Sequence, residues 1–118
     1  AQLICNSFIR NFNIDEHISG VRKLYRDKCS LMLNTMDSEM PERVTYTRPE
    51  GGLFLWCTFP ESLSVSELTA RLLEKKVAVV PGTAFNCDTE MPTDSIRLNY
   101  STPTCGIKIL ASEVRKML

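Results

Sequence analysis

The segment SIRLNYS, residues 95–101, alternates apolar and polar side chains and therefore predicts a β-strand with two chemically different faces. Arg97 and Asn99 are expected on one face, and the three large apolar side chains on the other. A planar guanidinium on a rigid strand suits bidentate binding of a carboxylate or phosphate group, and its burial without a partner would be unfavourable. The alternative is that Arg97 lies on a solvated strand face, as most strand arginines do.

The residues on either side of this strand predict four helices and three further strands. In chain order the elements are helix, helix, strand, strand, helix, strand, strand and helix, at about residues 3–9, 14–36, 44–47, 53–59, 65–75, 77–80, 95–101 and from 102 onward. This order predicts an α+β fold: a small mixed or antiparallel sheet of about four strands, with helices packed on one face.

Capping residues mark the starts of three helices. Asn13 precedes two acidic residues, and an apolar stripe then runs for about seven helical turns to Met36. Ser64 and Glu67 form a capping-box pattern, and Thr102-Pro103 is a third predicted start. The predicted apolar face of the helix after Ser64 comprises Val65, Leu68, Leu72 and Leu73, and that of the last helix comprises Ile107, Leu110, Ala111, Val114 and Met117.

Strand 53–59 is predicted to pair with strand 44–47 through the turn RPEGG, residues 48–52. Because this strand is apolar on both faces, it is either central in the sheet or covered on one face by another domain. Residues 77–80, VAVV, predict a short buried strand. The polar loop 83–94 has a length typical of functional or mobile loops.

Composition favours one ordinary globular domain. The 118 residues include 14 basic and 14 acidic side chains, a balance that argues against nucleic acid or an anionic membrane as partner. No apolar run approaches the length of a membrane span, and the first residues do not resemble a signal peptide. The chain begins without methionine, in what resembles the middle of an element, as expected of a fragment.

The five cysteines are widely spaced, contain no C-x-x-C pair and accompany a single histidine, His17. This pattern predicts neither a metal site nor a disulfide framework, and it favours reduced thiols in the cytoplasm. A Cys–His nucleophile pair through His17 is formally open, but no motif marks it, and the simpler interpretation of His17 is a surface or half-buried helical residue.

Three blocks in register carry a family resemblance: PEGGLFLW at 49–56, EKKVAVVPGTAF at 74–85 and SIRLNYS at 95–101. Together they resemble the C-terminal small domain of fold-type I, class I/II aminotransferases that use pyridoxal phosphate, nearest the branch of 2-aminoadipate and kynurenine aminotransferases. The resemblance assigns residues 13–118 to that small domain. Residues 1–12 would be the tail of a preceding helix or an interdomain segment.

The resemblance also implies site residues. The arginine of the family's I-R-L-N-[YF]-S block binds the substrate α-carboxylate, which implies this role for Arg97. The family's G-G-x-F turn lies near the substrate, which implicates Gly52 and Phe54. The alternative for these two is a hairpin turn and a core aromatic. The segment 81–85 borders the active site in the family, and we assign it no role beyond shaping the loop.

The resemblance implies no catalytic, cofactor-binding or metal-binding residue in this chain. The lysine that binds the cofactor covalently and the aspartate at its pyridine nitrogen belong to the family's large domain. The chain alone is therefore expected to be inactive. Its parent would be a homodimeric cytoplasmic transferase of amino-acid metabolism, with pyridoxal 5'-phosphate as cofactor and amino acids and 2-oxo acids as substrates.

Two departures from the family pattern have structural consequences. Lys76 stands where the family commonly has a helix-ending glycine, so it either takes a left-handed conformation or the helix ends differently. After Thr102-Pro103-Thr104 the family's acidic residues are missing, which puts the first turn of the last helix in doubt. Two other functions stay open: an aminotransferase-like effector domain of a transcriptional regulator, and a non-catalytic ligand-binding module.

Overall fold

The computed structural model describes residues 1–88, 91–101 and 105–118. Within these ranges the elements are α1 Gln2–Asn11, α2 Ile14–Glu39, β1 Thr45–Tyr46, β2 Phe54–Thr58, α3 Val65–Glu74, β3 Val80–Pro81, a 3₁₀ helix Gly82–Phe85, β4 Ser95–Asn99 and α4 Cys105–Met117. The predicted order of helices and strands is confirmed, with the 3₁₀ helix as an addition.

The four strands form one antiparallel sheet in the order β1-β2-β4-β3. The predicted α+β fold is therefore confirmed, and the sheet is antiparallel rather than mixed. Strand β2 is central, which is one of the two alternatives that its apolar faces left open. In the register, Arg97 of β4 lies opposite Trp56 of β2 on one side and Val80 of β3 on the other.

One face of the sheet packs against helices α3 and α4 and the C-terminal half of α2. The buried residues of this core include Met36, Leu55, Cys57, Leu68, Leu72, Ile96, Leu98, Tyr100, Leu110 and Val114. In β4 the buried residues Ile96 and Leu98 flank the half-buried Arg97, so the predicted alternation of faces is confirmed. The opposite face of the sheet carries Phe54, Trp56, Arg97 and Asn99, and it is named the open face.

Two predictions of burial were wrong. Residues 77–80 do not form a buried strand: β3 comprises Val80 and Pro81, both half-buried, and Ala78 is exposed. An edge strand that follows a tight helix end has only one neighbouring strand to cover it. Leu73 is 67% exposed, because it lies one position past Leu72 and so about 100° around α3 from the buried stripe.

Only the C-terminal part of the predicted apolar stripe of α2 is buried in the core. Met32 and Met36 are buried, whereas Ile14 and Ile18 are each 39% exposed and Leu24 is 51% exposed. Helix α1 buries none of its residues. Helix α1 and the first turns of α2, residues 2–24, are named the helical arm below.

Two of the three predicted helix starts are confirmed. The Asn13 side-chain oxygen accepts the N–H groups of Asp15 and Glu16 at 3.1 and 3.2 Å. The Ser64 hydroxyl oxygen accepts the N–H of Glu67 at 3.3 Å. The start at Thr102-Pro103 lies outside the described residues, within which α4 begins at Cys105 and has no acidic residue in its first turn.

Lys76 ends α3 in a left-handed conformation, with φ at 61°. Its N–H donates to the carbonyl of Leu73, and the N–H of Val77 donates to the carbonyl of Leu72, both at 2.9 Å. These two bonds form a Schellman motif, in which glycine is the usual residue at the left-handed position. The first of the two alternatives for Lys76 is therefore the one adopted.

Replacing Lys76 with glycine is expected to raise the free energy of unfolding by about 1 kcal/mol, because glycine has no Cβ to strain at positive φ. Chemical denaturation of the two chains measures this. Glu74→Gly is the control: Glu74 is the last residue of α3, where glycine should instead cost about 1 kcal/mol. Equal effects of both changes would contradict the assignment of the helix end.

Candidate functional site

Arg97 lies near the centre of the open face. Its cross-strand partner on β2 is Trp56, and Phe54 of β2 lies opposite Asn99 of β4. Because directly opposite residues in an antiparallel sheet point to the same face, these four side chains share one surface. The sequence predicted this face for Arg97 and Asn99, and the structure adds the two aromatic residues.

Two aromatic rings cover the guanidinium of Arg97. Its Cζ lies 4.0 Å from the centroid of the Phe54 ring and 4.8 Å from the centroid of the Phe85 ring. Both distances lie within the range of a cation–π contact. The Phe85 ring in turn meets the Trp56 ring edge to face, with the centroids 5.5 Å apart and the planes at 69°.

The N–H groups of this guanidinium have no partner in the part of the chain that the structure describes. No hydrogen bond or ion pair joins the Arg97 side chain to any residue within 1–88, 91–101 or 105–118. By contrast, three other arginines (Arg48, Arg71 and Arg115) each pair with a carboxylate. A half-buried guanidinium with free donors is chemically suited to a carboxylate or phosphate ligand.

Gly52 and Phe54 lie at the end of this face, where the hairpin turn enters β2. Gly52 has φ at 86°, and no atom lies within 4 Å of the place where a Cβ would be, so its conformation rather than crowding requires glycine. The hydroxyl of Tyr100 donates to the Gly52 carbonyl at 2.6 Å, and the N–H of Tyr100 donates to the Leu53 carbonyl at 3.0 Å. Burial, and then the neighbouring Cys29, raise the pKa of Tyr100, which keeps the hydroxyl protonated as a donor.

The hairpin-turn alternative fits Gly52, whereas the core-aromatic alternative does not fit Phe54. The turn interpretation accounts for the positive φ of Gly52. Phe54 is not a core aromatic, because its side chain is 41% exposed and covers Arg97. The roles of Arg97, Gly52 and Phe54 toward a substrate remain predictions.

Sequence reasoning missed the contributions of Phe85 and Trp56. The period of two along β2 places Trp56 on the face of Phe54, so that signal was present. No local pattern predicts the position of Phe85, because the 3₁₀ helix reaches Arg97 through contacts distant in sequence.

Other reactive groups form no second centre among the described residues. All five cysteines are free, and no cluster of three His, Cys, Asp or Glu side chains is arranged to hold a metal ion within those residues. Burial raises the pKa of Cys57 to about 12, so its thiol stays protonated near neutral pH. His17 makes an edge contact with Phe8, with the ring centroids 5.3 Å apart. Among the described helices, none combines the length and apolar character that a membrane span needs.

The fold and the site together describe one class of domain. It is a helix-backed, four-stranded antiparallel sheet whose open face carries an arginine beside two aromatic rings. The family model for aminotransferase class I and II matches residues 2–114, so the chain belongs to the class I and II aminotransferases. This confirms the resemblance that the three sequence blocks indicated.

The similar proteins include members of the expected branch. The 2-aminoadipate transaminase of Thermus thermophilus is 38% identical over 101 residues, covering 86% of this chain and 25% of that protein. A crystal structure of the α-aminoadipate aminotransferase from Thermus thermophilus, complexed with N-(5'-phosphopyridoxyl)-L-leucine, matches with a TM-score of 0.88 and 33% identity over 98% of this chain and 31% of that one. Kynurenine aminotransferase of Pyrococcus horikoshii matches with a TM-score of 0.82 at 33% identity, over 94% of this chain and 28% of that one.

Regulators of transcription also match, at lower identity. The uncharacterized regulator YisV of Bacillus subtilis is 28% identical over 88% of this chain and 22% of that protein. The chain thus spans between about a fifth and a third of the length of these relatives.

Four of the six lysines contact other groups, and the remaining two, Lys76 and Lys108, are exposed. Lys23 pairs with Asp27, Lys28 donates to the Ser101 carbonyl, and Lys75 and Lys116 both pair with Glu113. A lysine that binds this cofactor covalently must be free to react with it inside a pocket, and neither a paired nor an exposed lysine meets that requirement. None of these contacts involves Arg97 or the rings beside it.

Gly82, which begins the 3₁₀ helix carrying Phe85, is expected to be sensitive to substitution. An added Cβ would overlap the Thr93 hydroxyl and lie 3.1 Å from the Ser95 carbonyl oxygen. Gly82→Ala should therefore lower the free energy of unfolding by about 1–3 kcal/mol, measured by chemical denaturation. Gly51→Ala is the matched control, since nothing lies within 4 Å of its added Cβ, and it should change stability by less than about 0.5 kcal/mol. If Gly82→Ala leaves the free energy of unfolding unchanged, the 3₁₀ helix does not pack closely against Thr93.

Proposed function

We propose that this chain is the C-terminal small domain of a pyridoxal-phosphate-dependent aminotransferase, in which Arg97 binds the α-carboxylate of the amino-acid and 2-oxo-acid substrates. The observation that carries the proposal is the Arg97 guanidinium itself: it lies over the rings of Phe54 and Phe85 and has no partner among the described residues. A half-buried guanidinium without a partner is costly unless a ligand supplies one. The small domain would comprise residues 13–118, and residues 1–12 would belong to a preceding helix or interdomain segment.

In this role Arg97 positions the substrate and transfers no proton. Two parallel N–H···O bonds from a guanidinium to a carboxylate fix both the distance and the plane of the carboxylate. Strand β4 holds the arginine rigidly, since it pairs with β2 and β3 on its two sides. Phe54 would form a wall of the pocket, and Gly52 would allow the turn to approach the ligand closely. The gain comes from orienting the reacting bonds before chemistry begins.

The cofactor would supply the electron sink for breaking bonds at the substrate Cα. We place its lysine and the aspartate at its pyridine nitrogen in a large domain outside this chain, because four lysines of this chain are paired and the other two, Lys76 and Lys108, are exposed. The exposed helical arm supports such a domain: Leu3, Ile4 and Phe12 are 83%, 75% and 65% exposed, which is unusual for a free surface. A homodimeric parent is part of the same proposal. So is a cytoplasmic compartment, because all five cysteines are free thiols.

The test is amino transfer by the full-length protein. With pyridoxal phosphate, L-amino acids as donors and 2-oxoglutarate as acceptor, chromatography should detect new glutamate that depends on both substrates. A protein that binds the cofactor and amino acids without forming glutamate would favour the regulator alternative, which the 28% identity to YisV motivates. Such a result would overturn the enzymatic proposal while leaving the domain assignment in place.

The isolated 118-residue chain is expected to be inert in the same assay and to give no saturable absorbance change with pyridoxal phosphate. The reason is that four of its lysines are held in ion pairs or by a backbone carbonyl, and the other two, Lys76 and Lys108, are exposed. Absorbance titration at moderate cofactor concentration checks this. A saturable band that a described lysine accounts for would show that this chain holds a cofactor site of its own.

A further inference from the structure

We infer that Phe85 is a positioning residue for substrate binding: with Phe54 it holds the Arg97 guanidinium in an orientation that presents the N–H edge to a carboxylate. This inference rests on the proposed function. It assigns a role to the 3₁₀ helix Gly82–Phe85, which the sequence treated only as part of a loop. Phe54 and Phe85 are together named the aromatic clamp.

The clamp acts on the orientation of the guanidinium. A guanidinium at the end of a flexible side chain rotates about several bonds and loses this freedom when it binds a ligand. Rings centred 4.0 and 4.8 Å from Cζ attract the cation through their quadrupoles and restrict that rotation in the free protein. A pre-oriented donor has less conformational entropy to lose on binding, which increases affinity without any new contact to the ligand.

The clamp also controls how water and ligand reach Arg97. The two rings are apolar surfaces beside the cation, and they displace water from beside it. A carboxylate that binds in such a partly desolvated place interacts more strongly than it would in bulk water. Rings beside the cation favour approach of the ligand along the N–H edge, the geometry that suits a planar, bidentate carboxylate.

Contacts outside the apolar core fix the position of Phe85. Its side chain is 48% exposed, so the apolar core does not account for its position. The edge contact with Trp56 restrains the ring, with the centroids 5.5 Å apart. The close fit of Gly82 against Thr93 and Ser95 fixes the backbone at the start of the same 3₁₀ helix.

The test uses the full-length protein with its cofactor and measures the dissociation constant of 2-oxoglutarate, without an amino donor, by calorimetry. Phe85→Leu keeps an apolar side chain but removes the ring, and it should weaken binding by roughly three- to thirty-fold. At saturating substrate kcat should stay within about twofold, because the clamp acts on binding. Phe85→Tyr keeps a ring and should restore affinity. Leu73→Ala, which shortens an exposed apolar side chain of α3 on the helix side of the sheet, is the control and should bind as the unmodified protein does.

A double-mutant cycle with Arg97→Ala separates the clamp from a direct contact with the ligand. If Phe85 acts through Arg97, Phe85→Leu has no further effect once the arginine is gone. An equal loss in both backgrounds would overturn the inference, as would wild-type affinity in Phe85→Leu when Arg97→Ala is weakened. If Arg97→Ala itself binds 2-oxoglutarate normally, the proposed function fails instead, whatever Phe85 does.

Discussion

Replacing Arg97 with alanine in the full-length protein is expected to lower kcat/KM for amino acids by roughly 10²–10³-fold. The removed interaction is a charge-assisted, bidentate contact in a partly desolvated place, and truncating one partner of such a pair costs about 3–4 kcal/mol. The cofactor's absorbance spectrum should not change, because Arg97 is proposed to contact the substrate rather than the cofactor. Steady-state kinetics and an absorbance spectrum of the same preparation measure the two effects.

Two variants control this experiment. Arg48→Ala removes another arginine near an aromatic ring, but its guanidinium already pairs with Asp37 and it lies on the turn beyond β1, so activity should change little. Arg97→Lys keeps the charge but loses the fork of donors, and it should fall between the wild type and the alanine variant. Parallel loss of cofactor and activity in Arg97→Ala would contradict the assigned role.

Replacing Leu110 with alanine is expected to lower the free energy of unfolding of the 118-residue chain by about 2–5 kcal/mol. Leu110 lies on α4, is 0% exposed and belongs to the core between the sheet and the helices. The change removes buried methyl groups and leaves a cavity that tight packing fills only in part. Urea denaturation, with the midpoint and slope both reported, measures the effect.

Leu73→Ala is the matched control, and it also tests the observed exposure of Leu73. The sequence predicted Leu73 in the apolar face of α3, whereas its side chain is 67% exposed. The same chemical change should therefore alter stability by less than about 0.5 kcal/mol. If Leu73→Ala and Leu110→Ala destabilise the chain equally, the orientation of α3 against the core is wrong.

Elements with a local signal could be predicted from the sequence. The alternation in β4 placed Arg97 on the open face, and the caps at Asn13 and Ser64 placed two helix starts. These signals are local because each depends on residues within a few positions of one another. The position of β3 had no such signal, since VAVV suits a strand anywhere along its length, and pairing with β4 selected Val80 and Pro81.

The candidate site could be predicted only in part. The choice of Arg97 followed from one strand and the family resemblance, but the aromatic clamp depends on Phe85, twelve residues before Arg97. Gly82 is likewise explained by Thr93, eleven residues further along, rather than by its own turn. The helical arm shows the same limit of sequence-based prediction. Periodicity predicted an apolar face there, but not which surface covers that face.

The most direct test of the account compares an L-amino acid with the amine that lacks only its α-carboxylate, in the full-length wild type and in Arg97→Ala. The measured quantity is the ratio of kcat/KM for the two substrates. The wild type should prefer the amino acid by roughly 10²–10³-fold, and the preference should fall to within about threefold in the variant, because the group that reads the carboxylate is gone. An Arg97→Ala protein that still prefers the amino acid as strongly as the wild type would contradict the central claim.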